Sequence, residues 1–222
     1  MIYKNRSDAG KRLARDLAGY ASERPVILAL PRGGVVVAAE IAMALDAPLD
    51  LLLVRKIGVP MQPELAMGAV IDGDDPYVVR NEEIIALLDI PDDEFRDVCE
   101  RELEEIGRRR VLYTGNRPRA DLQDRIAIVV DDGVATGSTM LAALRAVQKR
   151  RPRKIVLAVP VAPESTLQEL GREADAIVCL QRHEPFYAIG LYYADFHQVT
   201  DEEVIDVLSK VRAPEPRGEA VE

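Results

Sequence analysis

The sequence of 222 residues lacks features that would point to several classes of protein. It contains no tryptophan, only two histidines and only two cysteines, Cys99 and Cys179. Two separated cysteines are too few for a disulfide framework or a structural zinc site. No run approaches the roughly 18 apolar residues of a membrane span, and the first residues, MIYKNRSDAGKR, contain no apolar signal core. We therefore expect a cytoplasmic protein with no membrane partner.

A surplus of basic residues is also missing. The chain has 29 Lys and Arg against 38 Asp and Glu, which gives a formal net charge of -9. This balance argues against binding of nucleic acid through the whole surface, although a local basic pocket stays compatible with it. With 48% apolar residues, the chain can bury a core, and its length suits a single domain.

Short, continuously apolar segments alternate with helical patterns along the chain. Such segments are typical of strands covered on both faces, and they occur at 25–30, 49–54, 126–130, 154–160 and 174–180. The helical patterns are SDAGKRLARDLAGYA with Ser7 as N-cap, GGVVVAAEIAMAL, TMLAALRAVQKR and PESTLQELGRE. This alternation predicts an α/β fold, with a mostly parallel sheet flanked by helices on both faces.

Two segments break the alternation. Residues 81–113 are charged and helical, with an apolar stripe formed by Phe95, Cys99, Leu103 and Ile106. This inserted helix, centred on 91–112, is either a solvated cap on the sheet or an interaction helix. Residues 181–200 are rich in aromatic side chains, which fits an aromatic lid or a late pair of strands.

The predicted domain organisation is simple. We expect one domain over residues 1–212, with a core at about 25–180 and a small C-terminal hood at about 181–200. The end of the chain, APEPRGEAVE, is polar and rich in proline, so residues 213–222 are expected to form a flexible tail.

The stretch IAIVVDDGVATGST, residues 126–139, carries the strongest functional signal. A predicted strand ends in Asp131 and Asp132, small residues follow, and a helix begins at Ser138 or Thr139. The stretch does not fit a Walker A loop, since its glycines enclose three residues and no lysine follows. It also lacks the glycine triplet of a dinucleotide-binding loop.

The order of residues in this stretch suits a sugar phosphate. Small residues let backbone N–H groups approach a phosphate, and the start of a helix adds hydroxyl donors and its dipole. Two carboxylates would repel that phosphate unless they face hydrogen-bond donors, such as vicinal ribose hydroxyls, or a hydrated divalent cation. The ligand suggested is a ribose 5-phosphate.

The same stretch resembles the phosphoribosyl pyrophosphate motif of the type I phosphoribosyltransferases. The resemblance implies that Asp131 and Asp132 hold the ribose 2- and 3-hydroxyls. It also implies that the loop holds the 5-phosphate through Ala135, Thr136, Gly137, Ser138 and Thr139. It covers roughly residues 25–200 and is closest to members of this family whose acceptor is unassigned.

Two further segments fit this resemblance. LPRGG, ending in Arg32, Gly33 and Gly34, resembles the loop whose backbone amides bind the leaving pyrophosphate, although an ordinary turn would look similar. In VRKIGVPMQPE, Arg55 and Lys56 precede a stretch that resembles a mobile, proline-containing loop. Two cations there would neutralise pyrophosphate, and a solvated surface pair is the alternative.

The resemblance implies a reaction and its partners. The enzyme would transfer ribose 5-phosphate from 5-phosphoribosyl 1-pyrophosphate to a nitrogenous acceptor and release pyrophosphate. Mg²⁺ would bind mainly through the pyrophosphate, with Asp131 and Asp132 as further candidate ligands, and the protein would be a homodimer. Ala135 stands where members acting on 6-oxopurines carry an aspartate, which disfavours hypoxanthine and guanine. Orotate-like, adenine-like and unusual acceptors stay open.

Candidates for the remaining roles rest on weaker patterns. Glu64, beside the expected mobile loop, is the candidate general acid or base. Phe186 or Tyr187 would stack on an aromatic acceptor, His183 is expected to be exposed, and His197 has no evident partner. Two alternatives to the enzyme remain: a sensor that binds phosphoribosyl pyrophosphate or a nucleotide without catalysis, and an unrelated flavodoxin-like phosphate-binding module.

Overall fold

A parallel sheet flanked by helices lies at the centre of the computed structural model, which describes residues 2–215. The strands are β1 (Val26–Ala29), β2 (Leu49–Leu51), β3 (Val54–Val59), β4 (Gln62–Ile71), β5 (Tyr77–Arg80), β6 (Ile126–Val130), β7 (Lys154–Pro163) and β8 (Ala176–His183). The α-helices are α1 (Arg6–Asp16), α2 (Gly33–Leu45), α3 (Glu82–Leu87), α4 (Asp92–Thr114), α5 (Ser138–Lys149), α6 (Glu164–Leu170) and α7 (Asp201–Ser209). Short 3₁₀ helices occur at Ala18–Glu23 and Ile189–Tyr192.

Five strands form the parallel sheet in the order β2-β1-β6-β7-β8. Every neighbouring pair is parallel, which confirms the predicted fold class. Successive residues point to opposite faces, so that Ile27 and Ala29 join one apolar cluster and Val26 and Leu28 join the other. Apolar residues of α1, α2 and α7 cover the first face, and those of α5 and α6 cover the second.

The strand order fixes where a ligand can bind. From β1 the chain passes through α2 to β2 on one side, whereas β6 lies on the other side of β1. In open parallel sheets the crevice at such a change of direction, outside the carboxyl ends of the strands, is the usual ligand site. Here it lies between the residues that follow Ala29 and those that follow Val130.

A second, antiparallel sheet is the largest feature that the sequence did not predict. It consists of β3, β4 and β5 in that order, and it packs against α4 through Phe95, Cys99 and Ile106. The predicted apolar stripe is therefore confirmed, with Leu103 half-buried, and it covers this sheet. The stretch after Arg55 and Lys56, expected to be a mobile, proline-containing loop, forms the end of β3, a turn and the start of β4 instead.

Several predicted boundaries were wrong for local reasons. Asn5, not Ser7, caps α1 by accepting from the N–H of Asp8, and Ser7 donates to Glu40 instead. The run 49–54 is split because β2 ends at Leu51 and Val54 begins the second sheet. The helical region 81–113 is two helices, separated by Asp89 in a left-handed conformation and by Pro91.

The aromatic segment after β8 is a loop with one 3₁₀ helix, so the expectation of a late pair of strands was wrong. An isolated parallel β-bridge pairs Tyr193 of this segment with Tyr3. The division into core, hood and tail stays a prediction. Most of the expected tail, residues 216–222, lies outside the described residues.

A buried ion cluster fastens α4 and the second sheet to the parallel sheet. Arg110, 8% exposed, donates to Asp50 at 2.6 Å and to Asp72 at 2.8 Å. The other carboxylate oxygens accept the N–H groups of Ala120 and Leu53. Burial opposes the charge of Arg110, but the two neighbouring carboxylates outweigh it and raise its pKa. Removal of Arg110 would take away the ion pair of the buried Asp50, whereas Asp72 would keep Arg119 as a partner. A buried charge left without its partner is costly.

We predict that Arg110→Ala lowers the free energy of unfolding by about 3–5 kcal/mol, the usual cost of breaking a buried ion pair. Arg108→Ala is the matched control, since Arg108 lies on the same helix with a side chain that is 60% exposed. That control should change stability by less than about 0.5 kcal/mol. Urea denaturation measures both values, and similar small losses for the two variants would contradict a supporting role for the cluster.

Candidate active site

The segments that follow β1 and β6 lie so close together that the first segment has no room for side chains at Gly33 and Gly34. A Cβ atom on Gly34 would lie 3.0 Å from the Cα of Asp131. A Cβ atom on Gly33 would lie 1.9 Å from Oδ2 of Asp132, a distance that real Cβ contacts do not reach. The structure therefore brings the predicted glycine pair and the predicted acid pair together, and the peptide bond before Arg32 is cis.

The two adjacent acids have different partners. Asp132 accepts from Nε of Arg6 at 2.6 Å, and the same guanidinium donates to the carbonyl of His197 and stacks over Phe196 at 3.9 Å. Asp131 accepts only the N–H of Asp132, at 2.8 Å, among the hydrogen bonds of the described chain. Arg6 was not foreseen, because 126 residues separate it from its partner.

Burial and mutual repulsion control the ionisation of these acids. Burial, followed by the charge of Asp132, raises the pKa of Asp131 well above its ordinary value. Burial also raises the pKa of Asp132, and the hydrogen bond and charge of Arg6 act against that rise. Asp131 is therefore the less compensated charge of the pair.

The loop after the acids forms a small cavity, which we call the loop cavity. It has a volume of about 140 Å³ and is lined by Asp131, Gly133, Val134, Ala135, Thr136, Gly137, Thr139 and Met140. Gly137 adopts φ 78°, which favours glycine, and it caps α5 without a side-chain hydrogen bond. The first N–H groups of α5 have no acceptor within the helix, and Thr166 holds the loop through the carbonyl of Ala135.

A second cavity adjoins the first, and we call it the arginine cavity. Its volume is about 90 Å³, and it is lined by Leu30, Pro31, Leu52, Leu53, Val54, Arg55, Ile106, Arg109, Asp131 and Thr139. Asp131 and Thr139 line both cavities. A ligand in this crevice would thus contact backbone amides at one end, a carboxylate in the middle and guanidinium groups at the other.

Each predicted cation near the crevice has a defined position. Arg32 pairs with Asp201 of α7 at 3.4 Å, and Tyr113 donates to the same carboxylate oxygen. Arg55 pairs with Glu102 of α4 at 2.6 Å. Lys56 is exposed and forms no ion pair with any described residue. As neighbours in β3, Arg55 and Lys56 direct their side chains to opposite faces of the second sheet.

Glu64 and Phe186 do not line either cavity of the crevice. Glu64 is exposed on β4 and lines a larger cavity of about 520 Å³ between the hairpin and α4, together with Arg55 and Lys56. Phe186 stacks on Tyr192 with ring centroids 5.4 Å apart. Their roles stay predictions.

The aromatic segment nevertheless reaches the crevice by other residues. The hydroxyl of Tyr193 donates to the backbone carbonyl of Asp132 at 2.5 Å. Ile189 packs so closely on Gly133 that a Cβ atom there would lie 2.6 Å from it. The expectations for the histidines were wrong. His183 is half-buried, and its ring is tilted against that of Tyr192 with centroids 4.6 Å apart. His197 contacts Asp195 and Glu203 at 3.1 Å each.

Larger cavities lie away from this crevice, and one of about 830 Å³ lies between α1 and β8. A cleft of about 760 Å³ lies at the opposite edge of the sheet, near Pro25, Pro48 and Arg153, which precede strands. Two of its arginines pair with two of its acids, Arg153 with Glu23 at 2.8 Å and Arg212 with Glu215. The crevice at the carboxyl ends is the candidate site because its loops, acids and arginines converge there.

Few side chains at the crevice could bind a divalent cation directly. Within residues 2–215 no group of three or more His, Cys, Asp or Glu side chains is arranged to hold a metal. Asp131 and Asp132 alone fit the way Mg²⁺ binds in phosphate sites, with one or two carboxylates and the remaining ligands from phosphates and water. Separately, no helix in that range has the length and apolar character needed to cross a membrane.

Comparisons with known proteins agree with this geometry. Residues 1–193 match the family model described as "Phosphoribosyl transferase domain". Two proteins of Mycobacterium tuberculosis, strains CDC 1551 and H37Rv, each named "Putative phosphoribosyl transferase", are 41% identical over 209 residues. Those alignments cover 94% of this chain and 47% of each relative, so the chain spans about half the length of these curated relatives.

A solved structure is also similar over its whole length. The protein TT1426 from Thermus thermophilus has 41% sequence identity and a TM-score of 0.81, and the alignment covers 96% of this chain and 100% of that protein.

We predict that Gly33→Ala lowers the free energy of unfolding by about 1–3 kcal/mol, as overpacking usually does, because the new methyl group would displace the Asp132–Arg6 pair. Gly107→Ala is the matched control, since a Cβ atom there meets nothing within 4 Å. In the exposed interior of α4 this control should stabilise the protein by roughly 0.5–1 kcal/mol. Thermal or urea denaturation compares them, and stabilisation by both changes would contradict the close approach of the two loops.

We also predict opposite effects of one substitution at the two neighbouring acids. Asp131→Asn should raise the free energy of unfolding at pH 8 by roughly 0.5–2 kcal/mol, the usual gain when a site optimised for function is relaxed. Asp132→Asn should lower it by about 1.5–3 kcal/mol, because Arg6 loses a charged acceptor.

The effect at Asp131 should depend on pH. A raised folded-state pKa means that the wild type loses stability as the pH rises from the ordinary Asp value, about 3.9, to the folded-state value. The advantage of Asp131→Asn should therefore shrink as the pH falls towards 4. Denaturation curves at several pH values measure it, and destabilisation by Asp131→Asn at pH 8 would contradict an uncompensated carboxylate.

Proposed function

The chain belongs to the phosphoribosyltransferase family, and from this premise we propose that it binds 5-phosphoribosyl 1-pyrophosphate and transfers its ribose 5-phosphate to a nitrogenous acceptor. The observation that supports this donor most directly is the pair of adjacent cavities that share Asp131 and Thr139. The loop cavity would take the 5-phosphate, the acids the ribose hydroxyls and the arginine cavity the pyrophosphate.

The proposed phosphate site relies on backbone amides and a helix start. In the described part of the chain, the N–H groups of Ala135 and Thr136 have no protein acceptor. The exposed hydroxyls of Thr136, Ser138 and Thr139 stand beside them. Amides and hydroxyls can donate to a phosphate without placing a fixed charge there, and the dipole of α5 adds to the attraction.

The proposed ribose site uses the two carboxylates. Arg6 offsets the charge of Asp132, so the acid pair presents little more than one negative charge beside a polyanionic ligand. Gly33 and Gly34 would bring their backbone amides close to the pyrophosphate, with Arg32 and Arg55 as side-chain donors. Lys56, expected to be a further cation, lines neither cavity of the crevice. Mg²⁺ bound with the pyrophosphate would neutralise charge on the departing oxygens.

The chemical step requires positioning more than a protein nucleophile. The bond between ribose C1 and the pyrophosphate oxygen breaks, and its electron pair leaves with pyrophosphate. The acceptor nitrogen forms the new bond to C1 and gives up its proton. Residues that hold the ribose and stabilise the leaving group would therefore lower the barrier, and Glu64 is the candidate for receiving the proton.

The acceptor is the least defined part of the proposal. Ala135 lines the loop cavity without a carboxylate, which we take to disfavour 6-oxopurines. Phe186 and the neighbouring exposed Tyr187 belong to the segment after β8. This segment contacts the acid pair through Tyr193, whose hydroxyl donates to the carbonyl of Asp132. We propose that this segment contacts the acceptor.

The donor assignment is tested by isothermal titration calorimetry with phosphoribosyl pyrophosphate and Mg²⁺. We expect the wild type to bind, and Asp131→Asn/Asp132→Asn to lose at least about tenfold in affinity, since two charge-assisted contacts disappear. Asp16→Asn, on the exposed side of α1, should bind like the wild type. An absence of binding by the wild type would refute the proposed donor.

Catalysis is tested separately from binding. The wild type, the donor and Mg²⁺ are incubated with a panel of nitrogenous bases and small amines, and released pyrophosphate is measured. Acceptor-dependent release supports the enzyme. Donor binding that depends on both acids, with no release for any acceptor, would favour the alternative of a sensor.

A further inference from the structure

The inserted helix α4 reaches the candidate site through Arg109. Arg109 of α4 lines the arginine cavity together with Pro31, Arg55, Asp131 and Thr139. Pro31 begins the turn that leads to the proposed pyrophosphate amides, and Asp131 is the proposed ribose ligand. Arg109 therefore lies at the position in the crevice where the leaving group of the donor would be.

The bonding of Arg109 leaves part of its donor capacity available. Its Nε donates to Glu105 at 2.6 Å, and its side chain is 35% exposed. No hydrogen bond from its two terminal nitrogens to another described residue is present. A guanidinium has five N–H donors in a planar fork that suits phosphate oxygens, so most of them stay available to a ligand.

Glu105 does not depend on Arg109 for a partner, because the neighbouring Arg108 also pairs with it. Arg108 donates to the same carboxylate through two nitrogens, at 2.7 and 2.9 Å. The hydrogen bonds of Arg108, followed by that of Arg109, lower the pKa of Glu105 to about 2. Glu105 is thus paired with or without Arg109, whereas only Arg109 lines the cavity.

Three arginines around the crevice share one arrangement. Arg32 pairs with Asp201, Arg55 with Glu102 and Arg109 with Glu105. Each of these arginine side chains is about one third exposed, and ion pairs of this kind contribute at most about 1 kcal/mol. A ligand with several phosphate oxygens can replace such partners at small cost, so the pairs orient the guanidinium groups without blocking them.

We propose that Arg109 binds the pyrophosphate moiety of the donor, so that α4 supplies a third arginine to the site beside Arg32 and Arg55. This inference rests on the proposed function, since it assigns a residue to the same donor. It gives the charged insertion a role in binding in addition to covering the second sheet.

The test compares Arg109→Ala with Arg108→Ala by calorimetry, using phosphoribosyl pyrophosphate with Mg²⁺ and, separately, ribose 5-phosphate. Arg109→Ala should weaken binding of the pyrophosphate-bearing ligand by about tenfold or more, the effect of one lost charge-assisted hydrogen bond. Arg108→Ala should stay within about twofold of the wild type. Binding of ribose 5-phosphate should change less than about twofold in both variants, because that ligand lacks the moiety in question.

Arg109→Lys keeps the charge and should recover part of the lost affinity. Thermal denaturation verifies that each variant is folded. Equal losses for Arg108→Ala and Arg109→Ala, equal losses for the two ligands, or wild-type affinity in Arg109→Ala would each overturn the inference. These outcomes differ from failure of the proposed function, in which the wild type itself would not bind phosphoribosyl pyrophosphate.

Discussion

The close approach of β1 and β6 at their carboxyl ends is the constraint on which the candidate site depends. Two glycines follow β1 and two aspartates follow β6, and there is no room for a Cβ atom between Gly33 and Asp132. Such packing places the buried carboxylate of Asp132 beside the half-buried carboxylate of Asp131, which is unfavourable unless a cation compensates one of them. Arg6 supplies that cation, and by doing so it ties α1 and the segment after β8 to the same point.

The sequence predicted the parts of the molecule in which local pattern and tertiary structure agree. Apolar runs such as IAIVV became central strands because burial on both faces demands continuous apolar residues. The acids, the small loop and the helix start are consecutive, so their order alone indicated a sugar phosphate, and the resemblance then implied a particular donor. The second sheet was missed because Gly58, Pro60 and Pro63 interrupt the alternation in its first two strands, and half-exposed strands carry a weaker signal.

Residues that act across the chain could not be found in this way. Arg6 meets Asp132 over a separation of 126 positions, and nothing around Arg6 in the sequence distinguishes it from other arginines of α1. Nothing in the sequence singles out Arg109, since α4 alternates acids and bases as exposed helices do. Only the packing of α4 against the second sheet turns Arg109 towards Asp131, whereas Arg108 stays on the surface. His197 is a different case, because its partners Asp195 and Glu203 lie only two and six positions away, so the local sequence could have indicated them.

The pairing of site arginines with acids also explains how a chain of net charge -9 can be suited to a polyanion. Three isolated guanidinium groups would repel one another and the site would be poorly ordered, but Asp201, Glu102 and Glu105 each hold one at a fixed position. The acids are carried by helices at the rim, so they can remain there when the arginines turn to a ligand. Because the ion pairs are partly exposed, their loss costs little, and the multiple oxygens of a pyrophosphate would offset that cost. Carboxylates that contribute to the negative charge of the chain therefore also hold in place the three arginines that we propose as pyrophosphate ligands.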